Sequence, residues 1–254
     1  MSALLNQLWP LALFMVLIAL LVRLSQRKRR QEQVQRNTTS AGLSGMAYSA
    51  PTGDDVGGQL RGTHRFEGTT QGVTWWAETL YLTDQATGSY AQTHNQIQNY
   101  TRWTAPKVVT GGGTLLLMNL PQGVQAPAVG AAQGKSGFLA AMADKAAAAA
   151  LQLFARVTFG NTRSTALPLE PHHRVPLGGD AFGAAFVAFS DRPELLQRLG
   201  PAAHERLLAE RDNRVALLWD EQGLTLTWPT ASIATEEVAA CAEFGTTLAQ
   251  SLAP

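Results

Sequence analysis

The sequence predicts an α+β fold, in which a single N-terminal transmembrane helix precedes a domain with a largely antiparallel sheet and packed helices. Three observations lead there. The run Leu4 to Leu24 is uncharged up to Arg23, and a knot of cations follows: Arg23, Arg27, Lys28, Arg29 and Arg30. Several later segments alternate apolar and polar residues with period two, the mark of a half-buried strand. Others repeat their apolar residues at helical spacing or carry helix-start chemistry.

The opening run is long enough to cross a bilayer once, since a span needs about 20 apolar residues at 1.5 Å rise. Leu8, Trp9, Leu11, Phe14, Leu17 and Leu20 would anchor it, with Trp9 at the headgroup level and Pro10 near the outer helix start. Residues 1–22 hold no Lys or Arg, so the positive-inside rule puts the N-terminus outside and the remainder in the cytoplasm. The expected location is a bacterial inner membrane. A cleaved signal peptide fits less well, because its charge precedes the apolar run and a small-residue cleavage site ends it. A surface helix of a globular domain would not be apolar on every face, as Leu11 to Val22 is.

The chain has 254 residues and a net charge of +1, much of it from the basic knot. That argues against nucleic acid as a partner, which calls for a clustered basic stripe. The knot itself suits anionic lipid headgroups. A lone cysteine, Cys241, excludes an intramolecular disulfide and a thiolate-rich metal site. The organisation expected is a helix with its basic flank over 1–30, a flexible linker over 31–60 poor in large apolar residues, and one domain over 61–254.

Within the domain, Thr63–Gly68 and Val73–Leu82 read as strands about a turn at Thr69–Gly72. Gln96–Thr104 alternates Ile97, Tyr100 and Trp103, and Leu115–Met118 is a short buried strand opened by Gly111–Gly113. Residues 123–134 are broken by Pro and Gly and form a loop. Phe138–Phe154 contains an alanine run and forms a helix. Phe182–Phe189 reads as a strand. Asp191 caps a helix over Leu195–Leu199, with Pro193 in its first turn and Glu194 at the back-bonding position; the helix pauses at Gly200-Pro201 and resumes through Leu208. Arg214–Trp228 is a hairpin turning at Asp220–Gly223, and Thr235–Leu252 is an amphipathic helix with Val238, Cys241, Phe244 and Leu248 on one stripe.

The run Phe186–Pro193, the segment Leu199–Leu208 and the hairpin ending at Trp228 together resemble an uncharacterised family of bacterial membrane-anchored proteins. The resemblance covers the C-terminal third and implies a fold and an envelope setting, with no active site. In plan alone, the chain is similar to the H subunit of photosynthetic reaction centres, an analogy of architecture.

No motif specifies a reaction. Gly130–Ser136 has three residues, where a phosphate loop needs four, between its first glycine and Gly-Lys. His172 and His173 are adjacent and lack zinc-ligand spacing, and no cofactor or metal is expected. Cys241 sits on an apolar stripe as core. Glu78 faces solvent or pairs with Arg102 or Arg65. Trp75 and Trp76 are neighbours on a strand and face opposite ways, so one needs cover from a helix layer or from another protein. Both are the candidate interface residues. The function expected is a non-catalytic accessory subunit of a larger integral membrane complex, photosynthetic or respiratory, with other membrane subunits as partners. The alternative is a membrane-tethered enzyme or small-ligand sensor.

Overall fold

A computed structural model describes residues 2–50, 63–82, 98–119, 159, 167–169, 173–178, 180–230 and 235–252. Helix α1 (Ser2–Leu43) leads into strands β1 (Ala47–Ser49), β2 (His64–Thr70), β3 (Val73–Leu82), β4 (Gln98–Ala105) and β5 (Leu115–Asn119). Strand β6 (Arg174–Val175), helix α2 (Ala181–Ala185), β7 (Phe186–Ser190), helices α3 (Glu194–Gln197) and α4 (Gly200–Ala209), β8 (Ala216–Asp220), β9 (Gly223–Thr230) and helix α5 (Thr235–Ser251) complete the order. The strands form one nine-stranded sheet in the order β1-β2-β3-β4-β9-β8-β5-β7-β6, and every pairing is antiparallel.

Among the described residues no helix is long and apolar enough to cross a membrane. This overturns the transmembrane helix in the expected fold class, and with it the single-pass placement in an inner membrane. Along α1 the apolar stretch is broken at Arg23 and gives way to the cations Arg27–Arg30 and a polar second half. The linker expected over 31–60 is also corrected where it is described. Helix continues to Leu43, and β1 pairs with β2. Asn, Thr and Ser are weak helix formers, yet adding a residue to an existing helix is far easier than starting one. Thr38 Oγ1 satisfies itself by donating to the Val34 carbonyl at 2.8 Å.

Gly45 ends α1 at φ +70°, with Met46 N–H donating to Ala41 O and Gly45 N–H to Gly42 O. This is the paired bonding of a Schellman end, which suits glycine because the conformation is left-handed. Ala41 and Met46 are buried there, so the helix end is docked on the domain.

The sheet separates two apolar clusters. On one face Phe66, Trp75, Ala77, Trp103, Leu224, Leu226, Leu217, Trp219, Leu115 and Leu117 meet helices α3, α4 and α5. On the other, Leu116, Met118, Val187, Phe189 and Leu218 pack with Phe159, Leu167 and Leu169. The β2–β3 turn uses positive φ at both Gln71 and Gly72, the geometry that matches strand twist. At the β8–β9 turn, Asp220 Oδ1 accepts from Gln222 N–H at 2.7 Å, and a side chain on Gly223 would collide with the Ala105 carbonyl.

Two local expectations fail. Ala181–Ala185 is helix, not strand, because the Asp180 carboxylate accepts the Gly183 N–H at 2.9 Å and caps it. Asp191 does not cap α3; its Oδ1 accepts Thr114 N–H at 2.6 Å and ties two loops together. The expected helix over 138–154 and the loop over 123–134 lie outside the described residues.

Helix α5 approaches the sheet through Gly245, where an added Cβ would stand 2.6 Å from the Trp103 ring. Gly245→Ala should therefore cost about 1–3 kcal/mol through overpacking, read as a lower urea midpoint; an unchanged midpoint would show that α5 does not press on Trp103.

Candidate functional site

The described chain holds one surface that ordinary folding leaves unexplained. Along α1, Phe14, Met15, Val16, Leu17, Ile18, Leu20, Leu21, Val22 and Leu24 are each between 40% and 64% exposed. Successive helical residues step by about 100°, so this band has no polar face to turn outward. Leu8, Trp9 and Leu11 lie on the same helix with side chains outside the described set. The basic cluster follows directly: Arg23, Arg27, Lys28 and Arg29 are exposed, whereas Arg30 is half-buried.

Further along α1, Gln26, Arg30, Gln33, Val34, Asn37, Ser40 and Ala41 are its less exposed residues. They recur at helical spacing and mark one stripe. The stripe ends in a polar lock: Asn37 Nδ2 donates to Tyr48 Oη at 3.4 Å, and Tyr48 Oη lies 2.7 Å from His64 Nδ1. Burial raises the Tyr48 pKa, and the Asn37 bond opposes that rise. Tyr48 also packs on Phe66, with ring centroids 5.0 Å apart. The sequence reading missed this lock, since Asn37 and Tyr48 stand in the stretch taken for a linker.

Trp75 and Trp76 separate as neighbours on a strand must. Trp75 is buried in the helix-side core, and its Nε1 donates to Thr70 Oγ1 at 2.9 Å. Trp76 lies on the opposite face, half-buried, with the Arg65 guanidinium 4.7 Å from its ring centroid. The cover of Trp75 is therefore intramolecular, and Trp76 has Arg65 over it. Glu78 sits beside Trp76 on that face and bonds to Arg65 at 3.2 Å, with Arg102 at 4.0 Å. Arg65 also reaches Glu67 at 2.6 Å. The cross-strand register Arg65–Glu78–Arg102 alternates charge across three strands, an arrangement in which each group neutralises its neighbour.

The remaining candidates resolve as follows. Cys241 is buried on α5, and burial pushes its thiol up to about 12, so the nucleophilic thiolate is disfavoured. His204 stacks on Phe182 at 4.1 Å; burial lowers its pKa, against the pull of Asp180. Among the described residues no three His, Cys, Asp or Glu side chains converge as metal ligands. His172 and the Gly130–Ser136 segment lie outside the described residues. A cavity of about 360 Å³ opens beside β6, lined by Arg174–Gly178, Gly183, Phe186 and Val187.

No family model and no curated protein matches the chain. Among solved structures it is similar to the mycobacterial trehalose monomycolate transport factor A, TtfA. The TM-score is 0.40 at 11% identity, over 85% of this chain and 90% of that one. A likeness of that size carries nothing further about function, and that protein is not a reaction-centre H subunit.

The two tryptophans predict opposite outcomes. Trp75→Ala should cost about 3–5 kcal/mol as a core truncation, and Trp76→Ala about 1 kcal/mol for the lost Arg65 contact. Denaturant melts of both variants measure this, and equal losses would overturn the division. Cys241 supplies a second expectation. Its folded pKa lies above the ordinary 9.0, so the folded state holds the proton more tightly. Its contribution to stability is intact below pH 9 and is lost as pH rises toward 12. A disulfide-exchange reagent at pH 8 should leave the native thiol unlabelled and label it in urea; rapid native labelling would contradict the buried placement.

Proposed function

We propose that this chain is a non-catalytic accessory subunit of a larger protein complex, joined to it through α1, with the sheet domain as a stabilising or docking body. The exposed band from Phe14 to Leu24 carries this reading. Fully burying one such side chain is worth about 1.5–3 kcal/mol, and monomeric proteins rarely leave large contiguous apolar patches in water. Since the band faces outward in every direction, a partner must surround it with several elements, as a bundle of helices does. The charged groups around Glu78 support a structural role for the sheet face, because Arg65, Glu67, Glu78 and Arg102 engage one another.

The test places a photo-reactive diazirine side chain at Leu17, at Leu20 and, as control, at exposed Glu243 on α5, in the full-length chain expressed in its own cells. Irradiation should give discrete protein adducts from Leu17 and Leu20 and none from Glu243. The absence of protein adducts from both α1 positions, with the chain sizing as a lone monomer, would overturn the reading.

A further inference from the structure

We infer that the Asn37–Tyr48–His64 contact is a pH-sensitive latch, which holds the end of α1 on the sheet while His64 is neutral and releases it when His64 takes a proton. The inference rests on the direction of the hydrogen bonds and stands whatever partner α1 meets. An amide nitrogen donates and does not accept, so Asn37 Nδ2 gives its hydrogen to Tyr48 Oη at 3.4 Å. Burial raises the Tyr48 pKa, so the phenol keeps its own proton. Among the described residues that proton has one acceptor, His64 Nδ1 at 2.7 Å. Nδ1 then presents its lone pair, which puts the hydrogen of the neutral ring on Nε2. The bonds run in one direction, from Asn37 through Tyr48 to His64.

A proton taken from solvent goes to Nδ1, and Tyr48 keeps its own. Two hydrogens then face each other where one was shared, and the bond to Tyr48 is lost. The imidazolium is left at a fully buried position, where an ion is far costlier than in water. Thr79, opposite on β3, is buried and uncharged. Arg65, Glu67 and Glu78 lie on the other face of the sheet, because neighbours on a strand alternate. Strand β1 has no charged residue. On α1, Glu32 and Arg36 are exposed and Arg30 is two turns before Asn37. On α5, Glu236 and Glu243 are exposed and Glu237 neighbours Cys241. The cost falls if the ring reaches water. Tyr48 lies over His64 with ring centroids 5.9 Å apart, on an edge strand three residues long. Tyr48, β1 and the end of α1 therefore lift together. The docked form binds fewer protons than the lifted one, so docking is complete above the ordinary histidine range, about pH 6.5. It fades as pH falls through that range, by at most about tenfold per pH unit for one proton.

Two measurements on the full chain test the latch. Nitrogen NMR of the histidine-labelled protein at about pH 8 should show the His64 ring protonated at Nε2. Energy transfer between dyes at Gln31→Cys on α1 and Glu243→Cys on α5, both exposed positions, should change reversibly between about pH 7.5 and pH 5. The slope should be that of one proton, with the circular dichroism of the sheet unchanged. In His64→Asn the side-chain oxygen still accepts from Tyr48 but takes no proton, so transfer should hold its neutral-pH value in acid. An Nδ1-protonated ring at pH 8 overturns the inference. So does transfer that stays constant down to pH 5, or that changes equally in His64→Asn. Loss of circular dichroism over the same range overturns it too, because the whole fold then responds. Should His64→Asn fail to fold, the tautomer and the parent transfer curve decide alone. None of these outcomes touches the accessory-subunit reading.

Discussion

Strands β4 and β9 pair from Asn99 opposite Thr230 to Ala105 opposite Leu224, and this pairing of two strands far apart in sequence joins two blocks of the sheet. On one side lie β1 to β4, a meander of consecutive neighbours; on the other lie β8, β5, β7 and β6, whose order departs from that of the chain. Where they meet, Thr104 and Thr225 hydroxyls lie 3.2 Å apart and buried on one face. On the other face Trp103 fills the space under Gly245. The ladder must form across a long separation, and the loop-closure cost is met only when both faces are covered. Helix α5 supplies the cover on the Trp103 side with Val238, Ala242, Leu248 and Ala249.

The docking of α1 follows from that sheet. Strand β1 is an edge strand three residues long, and Tyr48 at its centre reaches both Asn37 on the helix and His64 on β2. The helix end is thus held by one ladder, one Schellman closure and one polar lock. Its remaining length extends from that attachment, carrying first the basic turn and then the apolar band. The molecule divides its labour accordingly: the sheet domain buries Trp75, Trp103 and Trp219, and α1 presents apolar surface that is exposed among the described residues.

Strands with strong alternation were legible in the sequence. Val73–Leu82 was read with the bounds the structure has, and the Arg214–Trp228 segment with its turn at Asp220–Gly223 became β8 and β9. Sheet order was not legible, because β4 is followed by β5 in sequence yet pairs with β9, and alternation records only which face a residue occupies. Phe182–Phe189 misled because its alanines and phenylalanines fit either period; the deciding signal was Asp180, a capping residue three positions before Gly183. The linker misled through composition, as Asn, Thr and Ser favour loops in isolation but continue a helix that is already formed. At the candidate site, the span expected over the apolar run does not stand among the described residues. Glu78 could be matched to Arg65 and Arg102 by sign alone; the contact needed the register of three strands.

Because α1 is one unbroken helix whose less exposed stripe runs from Ala41 back to Gln26, the length beyond Gln26 is a lever arm that carries the apolar band. From Gln26 to Phe14 that arm is roughly 18 Å. A tilt of about ten degrees at Gln26 would move its tip by roughly 3 Å, a displacement large enough to seat or unseat a side chain.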